Sequence, residues 1–278
     1  MNILIADSGA TKTEWCLVTP GKKLTVQTQG LSPYFLDALQ MEQVIRAELL
    51  PALGRRLPAA VYFYGTGCKA PANARKVKNM LLKVFPDSAV EVKHDLAGAA
   101  RSVCQQEKGI ACILGTGSSY CYYNGSRIST SSPGLGYVLG DEGSGAYLGR
   151  MVIQHFLYGI FEKELMTAFE KFYRLSADDI LENIYRKPLA NRYLASFTRF
   201  LSANRGHYMI ENIIEDGIND FFLRHVIRYP QSFKNPVHFV GGIAWHFRDV
   251  VEALCASYGL RSGRILQKPM DGLVKYHK

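Results

Sequence analysis

The sequence predicts an α/β protein of two lobes with a mixed sheet in each, and three observations carry that reading. The chain has 278 residues, more than one hydrophobic core usually serves, so two lobes of roughly 100 to 160 residues are expected. Strand-like and helix-like patterns alternate between residues 59 and 106, which argues for βαβ units with parallel strands. A strand–turn–strand unit with small residues in its turn opens the chain and recurs from Ile110. The lobes are therefore set at 1–109 and 110–278, the second with a helical insertion, and the last helix is left open to return to the N-terminal lobe.

Taken in order, residues 2–7 read as a buried strand, 14–18 as a second, and Pro20-Gly21 turns the chain into a third at 22–28. After a loop at 30–35 come a helical pattern at 40–54, a strand at 59–64, a helix from Pro71 to Val84, a strand at 89–93 and a helix from Asp95 to about Gln106. Pro71 suits a first helical turn, and Asp95 is a favoured cap residue. The second lobe starts with a strand at 110–114, the turn 115–118, a strand at 119–123 and a hairpin signal at Asn124-Gly125 leading to 127–130. Residues 145–229 read as mostly helical, with Ile210, Ile213, Ile214, Ile218, Phe221, Phe222 and Val226 on one apolar face. A βαβ-like segment closes the chain: strand 237–240, helix 244–258, strand 264–266 and a short helix.

With 47% hydrophobic and 21% charged residues, the composition is that of an ordinary globular protein. The net charge of +9 is spread along the chain. No basic stripe interleaves with aromatics and no nucleic-acid module is recognisable, so nucleic acid is not an expected partner; a basic surface attracts polyanionic ligands as well. The six cysteines form no CxxC pair, and most sit in apolar runs where a thiol acts as a small hydrophobe. Asp7 interrupts the first apolar run, and no run of eighteen apolar residues follows. No membrane association is expected, and the location expected is cytoplasmic, with reduced thiols.

Five segments carry chemistry. Asp7-x-Gly9-x-Thr11-Lys12-Thr13 puts a carboxylate at a strand end beside small residues and donors, which suits Mg²⁺ and phosphate; the alternative is a tight hairpin whose Asp and Thr satisfy the turn. Gly115-Thr116-Gly117-Ser118-Ser119 repeats that chemistry without the acid. Neither fits GxxxxGK[ST], and no GxGxxG joins a strand to a helix, so P-loop and Rossmann readings are set aside. Asp95 stands where a strand hands over to a helix, as a general base for an attacking hydroxyl, as a cap, or as both. His94 beside it reads as a packed residue. The segment 134–145 holds five glycines around Asp141 and Glu142, which reads as a wall for polyol hydroxyls or as a flexible loop. Gly241-Gly242-Ile243-Ala244, between strand and helix, lets a flat base or ribose lie on backbone, or is a tight turn.

In this order and spacing, the five segments resemble the BadF-type ATPase family, specifically its N-acetylglucosamine kinase branch, over nearly the whole chain. The resemblance implies the ribonuclease-H-like fold of sugar kinases and actin, with ATP between two lobes. It implies that Asp7 organises Mg²⁺ and that Gly9, Ala10, Thr11, Lys12 and Thr13, with Gly115, Thr116, Gly117 and Ser118, bind the phosphates. Asp95 would activate the 6-hydroxyl of an amino sugar. Asp141, supported by Glu142, would grip ring hydroxyls in the glycine-rich loop that includes Gly136. Gly65, Thr66 and the 30–34 loop with Ser32 would complete the sugar pocket, and Gly241, Gly242 and Ala244 would flank adenosine. A homodimer is left open.

Two departures stand out: the branch usually carries Asn where this chain has Ser32 and Ser119. Serine reaches less far and offers one donor where Asn has two, so N-acetylmuramic acid or another hexosamine stands beside N-acetylglucosamine as substrate. The family's other branch drives electron transfer through an iron–sulfur cluster, and Cys112-Ile-Leu-Gly115-Thr-Gly117 imitates its motif, without a second cysteine in a matching loop. A sugar sensor that binds nucleotide without phosphoryl transfer is the non-enzymatic reading; the presence of Asp95 argues against it, since a sensor needs no base.

Overall fold

In the computed structural model, which describes residues 1–9 and 11–278, the apolar run Leu4-Ile5-Ala6 is buried within β1 (Ile3–Ser8). A strand paired along both edges and covered on both faces needs such a run. β2 (Lys12–Thr19) pairs with it antiparallel, and β3 (Lys22–Gln29) continues the meander. Trp15 of β2 is buried and donates its indole N–H to Thr28 Oγ1 at 3.0 Å, which satisfies the one polar atom of the largest core side chain. Asp37 and Gln40 form a reciprocal capping box ahead of α1 (Ala38–Val44). The single helix expected at 40–54 changes its bonding midway: Ile45–Leu49 is π-helical before α2 (Leu50–Leu53). Pro51 has no N–H to return to the preceding turn, and Leu50 N reaches back five residues to Ile45 instead.

β4 (Ala60–Gly65), α3 (Pro71–Val84), β5 (Ala89–His94) and α4 (Asp95–Cys104) then lay two parallel strands beside β1, giving the order β3-β2-β1-β4-β5. α4 sits close on the sheet because Gly98 has no side chain: a Cβ there would meet the Tyr64 ring at 2.9 Å.

The second sheet repeats this plan. β6 (Lys108–Leu114), β7 (Ser118–Asn124) and β8 (Ile128–Ser131) form the antiparallel meander, while β9 (Val237–Val240) and β10 (Ser262–Leu266) add parallel to β6, in the order β10-β9-β6-β7-β8. Both sheets are thus mixed, and β6 occupies the place of β1. Between β8 and β9 run the one-turn α5 (Gly136–Leu139), then α6 (Gly145–Leu157), α7 (Lys163–Tyr173), α8 (Ala177–Tyr185), α9 (Ala190–Ser196), α10 (Thr198–Ala203) and α11 (Tyr208–Phe221), which continues as a π-helical turn Phe222–Val226. The apolar face read from Ile210 to Val226 is wholly buried. α6 and α9 pack so closely that a Cβ on Gly149 would lie 1.8 Å from Leu194 O. Gly149→Ala is therefore expected to cost about 1–3 kcal/mol of stability, read as a fall in thermal midpoint.

The helix expected at 244–258 starts earlier and breaks once, into α12 (Gly242–His246) and α13 (Arg248–Ser257). The break at Phe247 places its ring in the core. The chain ends in α14 (Met270–Tyr276).

By contact density the chain forms two units, Met1–Gln106 with Pro269–Lys278 and Glu107–Lys268. The C-terminal segment joins the first because α14 lies on α4, where Gly272 lets backbone approach Ser102 and Gln105 Nε2 donates to Gly272 O at 3.0 Å.

Each unit holds a histidine that burial keeps neutral. His238 accepts the Arg264 N–H through Nδ1 at 2.7 Å, and burial, with the Arg264 and Arg261 charges, pushes its pKa from 6.5 to about 4. Burial, with the Arg101 charge, does the same to His277, whose Nε2 lies 2.8 Å from the Tyr64 hydroxyl. A lowered histidine pKa means that unfolding takes up a proton below pH 6.5, so this stability is complete above that pH and is lost toward pH 4. Melting curves over that range should fall less steeply for His238→Gln, which keeps an acceptor but cannot be protonated.

Candidate functional site

β1, β4 and β5 run parallel, so their carboxyl ends share one edge of the sheet, the place where open α/β sheets collect ligand-binding groups. The register pairs Asp7 with Tyr64, Ser8 with Gly65 and Gly65 with His94, which gathers Asp7, Thr66 and Asp95 at neighbouring strand ends. Thr66 N donates to Ser8 O at 2.9 Å, and its hydroxyl donates to Asp95 Oδ2 at 2.8 Å. Asp95 Oδ1 accepts the Leu96 N–H at 2.8 Å. The helix α4 starts at Asp95 as expected, but its cap is His94, one place earlier than the expected Asp95. In this first turn the positive end of the helix favours the Asp95 charge, and each carboxylate oxygen keeps a lone pair. Burial lowers the His94 pKa, opposed by the Asp95 charge, which suits a packed, neutral ring. Cys68 is held as thiol, its pKa pushed up to about 12 by burial and then by Asp95.

The turn after β1 closes through Gly9 N to Lys12 O at 3.0 Å and Gly30 N to Thr11 O at 2.9 Å. Thr11 and Lys12 are exposed, whereas Thr13 is fully buried. Its hydroxyl lies 2.8 Å from Ser8 Oγ, and both oxygens receive the Leu31 N–H. Thr13 thus ties the turn to the loop after β3, and a phosphate would reach its hydroxyl only by opening that network. Ala10 lies outside the described residues. In the tied-down loop, Ser32 is 1% exposed and its Oγ has no hydrogen-bond partner among the described residues, an orphan that costs about 1–3 kcal/mol unless a ligand supplies one. Pro33 and Tyr34 lie over Gly67, whose φ of +86° and crowded Cβ position admit glycine alone.

In the second unit, the turn Gly115–Ser118 closes through Gly115 N to Gly117 O at 3.0 Å. Gly115 O and Thr116 O accept the Gly145 and Ala146 N–H groups at 2.7 and 3.1 Å, which fixes the turn on the first turn of α6. Gly241, with φ +130°, would place a Cβ 2.2 Å from Leu114 O. Only glycine brings the end of β9 this close to the end of β6, so Gly115 and Gly241 are neighbours. A Cβ on Gly242 would meet nothing among the described residues within 4 Å. The Ala244 methyl instead points into the core.

Asp141 Oδ1 accepts the Ser118 N–H at 3.3 Å and its Oδ2 lies beside Gly117. Its backbone holds φ +56°, uncommon for a residue with a side chain. Burial raises its pKa, the Ser118 N–H lowers it, and the Glu142 charge raises it again. Glu142 faces another way: His225 Nε2 donates to its Oε2 at 2.9 Å, and Arg224 Nε lies 3.5 Å from its Oε1. Ser119 is half-buried in β7 opposite Ile113. Gly136 stands in the exposed turn α5, joined to the acidic loop by Gly140 N to Gly136 O at 2.8 Å. Ser8, His225 and Arg224 join the site without having stood out in the sequence. Ser8 was findable as the residue next to Asp7; His225, 83 residues from Glu142, carried no local signal.

The six cysteines are all buried and unbridged. Among the described residues no three or more His, Cys, Asp or Glu cluster as a metal cage, and no helix is long and apolar enough to cross a membrane.

Two mixed five-stranded sheets of the same order, with glycine-rich turns at the ends of β1 and β6, define the ribonuclease-H-like class of sugar kinases and actin-like ATPases. No protein-family model matches the chain. A solved structure from Porphyromonas gingivalis, provisionally assigned as an N-acetylglucosamine kinase, is 43% identical and superposes with a TM-score of 0.94 over 99% of this chain and 98% of that one. The N-acetylmuramic acid/N-acetylglucosamine kinase of Clostridium acetobutylicum is 26% identical over 233 residues, 78% of this chain and 76% of that protein. A Chromobacterium violaceum structure with the same provisional assignment is 17% identical, with a TM-score of 0.78 over 100% and 99% of the two chains, and shares the fold. The chain belongs to the N-acetylglucosamine kinase family.

Proposed function

We propose that the protein is an ATP-dependent kinase that phosphorylates the 6-hydroxyl of an amino sugar, with N-acetylglucosamine first among candidates. The observation that carries this reading is the Asp95 carboxylate, aimed by Thr66 and the Leu96 N–H and left with lone pairs to accept a proton. As the sugar oxygen bonds to the γ-phosphorus and the bond to ADP breaks, Asp95 takes the hydroxyl proton and later returns it to water. The backbone of Gly9, Thr11, Lys12 and Gly115–Ser118 would hold phosphate oxygens, with the exposed Lys12 ammonium against their charge. Gly241 and Gly242 would receive adenosine.

A Mg²⁺ that is bound largely through phosphates and water needs only one or two carboxylates, and Asp7, at a strand end beside the phosphate turn, fits that demand. Bound there, the ion would neutralise phosphate charge. Asp141 would hold ring hydroxyls.

The Clostridium relative, by its name, acts on two hexosamines, and the orphaned Ser32 hydroxyl, with Ser119, stands where the resemblance expects Asn. N-acetylmuramic acid is therefore the second candidate. An ADP-release assay across a panel of hexosamines tests both; no stimulation by any sugar would overturn the reading.

The Thr66–Asp95 bond gives a more local expectation. Thr66→Val, which keeps the shape and removes the donor, should lower kcat about tenfold, the effect of losing one orienting hydrogen bond to a carboxylate worth about 1.4 kcal/mol. Steady-state kinetics check it.

A further inference from the structure

The two adjacent acids of the glycine-rich loop do different work, and the residues that divide them lie far away in sequence. Asp141 turns toward the 115–118 turn, while Glu142 turns inward and is almost fully occupied. His225 Nε2 donates to one Glu142 oxygen at 2.9 Å, and Arg224 Nε lies 3.5 Å from the other. Both partners stand on the π-helical turn that continues α11, a local widening of the helix often found at functional sites.

The network runs on. Arg224 Nη2 lies 3.7 Å from Asp220 Oδ1, Tyr147 donates its hydroxyl to Asp220, and Arg150 stacks over the Tyr147 ring at 4.8 Å. α6 and α11 are thereby joined beneath the loop. Next to Glu142, the chain is pressed onto α11: a Cβ on Gly143 would lie 2.8 Å from Phe221 Cβ and 3.4 Å from Gly217 O. Gly143, with φ +70°, and Asp141, with φ +56°, flank Glu142. Residues held in the left-handed region persist where the surrounding structure over-determines them, and here the anchored Glu142 lies between the two.

We infer that His225 and Arg224 are positioning residues that act through Glu142 to hold the Asp141 carboxylate in its sugar-binding orientation. Glu142 is in this view an anchor and not a sugar ligand: its Oε2 is bonded to His225, and both residues have side chains under 15% exposed. The inference rests on the proposal that Asp141 binds the sugar. Asp141 also touches Ser118 N–H and Gly117, but the proposed phosphate turn is fixed independently by the Gly145 and Ala146 N–H groups. A loosened anchor would lower occupancy by sugar while leaving the nucleotide and the base untouched.

The test is a split of kinetic constants in the full-length protein, with N-acetylglucosamine and ATP as the probes. His225→Phe keeps the ring packed near Phe221 and removes the donor. It is expected to raise KM for the sugar about tenfold, with kcat and KM for ATP changed less than twofold, and His225→Gln, which restores a donor, should recover most of the loss. Arg224→Met, on the exposed edge of the network, should raise the same KM about threefold and serves if His225→Phe does not fold. An unchanged sugar KM in the folded variants, or a kcat falling in step with thermal midpoint and not recovered by Gln, overturns the inference. Asp141→Asn is the reference: if it raises the sugar KM while His225→Phe and Arg224→Met do not, the anchor alone fails. If Asp141→Asn leaves that KM unchanged, the sugar-binding role of Asp141 fails, and the anchor's function with it.

Discussion

Asp95→Asn is expected to lower kcat by about 10² to 10⁴, the range that a positioned general base contributes, with KM for sugar and nucleotide little changed. Asn keeps the size and the first-turn position of Asp95 but has only one acceptor oxygen. In the protein both carboxylate oxygens accept, one from Thr66 Oγ1 and one from Leu96 N. The variant must leave one of those donors without its partner, a cost of about 1 kcal/mol. Against a usual stability of about 5–15 kcal/mol, that leaves the protein folded. The rate loss corresponds to roughly 3–5 kcal/mol and exceeds anything a small loss of stability would produce. Single-turnover and steady-state rates on protein of matched thermal midpoint separate the two, and full activity in the variant would remove Asp95 from the mechanism.

Where local chemistry dictated an element, the sequence was sufficient. Pro71 fixes the first turn of α3 and Phe85-Pro86 ends it, and the helix spans the expected residues. The recurrence of strand, small-residue turn and strand at residues 2–18 and 110–123 gave the duplication that the two sheets display. The failures share a cause, which is bonding set by distant or subtle geometry. The π-helical turns at Ile45–Leu49 and Phe222–Val226 have the same apolar spacing as an α-helix over so few residues, so periodicity does not separate them. The capping position itself falls on His94, the last residue of β5, whose backbone is extended there, although Asp favours that role and stands next to it. Of the candidate site, the residue types and strand-end turns were legible. Which atoms were already engaged was not: Thr13 belongs to a network with Ser8 and Leu31, Ala244 to the core, and Glu142 to His225.

Asp141→Asn is expected to reduce kcat/KM for the sugar about 10²-fold without loss of stability, and that combination is what distinguishes a functional acid from a structural one. The charge is costly where it stands. Burial raises the Asp141 pKa by more than the Ser118 N–H lowers it, and the adjacent Glu142 charge raises it further. A carboxyl whose folded pKa is raised favours folding when protonated, so above its ordinary range the ionised group disfavours the folded state. The amide removes that penalty and keeps the single acceptor that Ser118 uses. It also suits the backbone: at φ +56° Asn is among the few residues with a side chain that tolerate the left-handed region, whereas Ala would add strain. A structural Asp would therefore not be missed. What Asn cannot supply is a pair of charged acceptors for vicinal hydroxyls, where hydrogen bonds to an ionised group are worth about 1.5–3 kcal/mol each. The same raised pKa gives a pH signature: in the parent protein, kcat/KM for the sugar should fall on the acid side at a pH above that of an ordinary aspartate, and in the variant the Asp141 contribution to that limb should disappear, leaving only that of the base. An unchanged acid limb, or a thermal midpoint lowered by several degrees, would return Asp141 to the role of a turn residue.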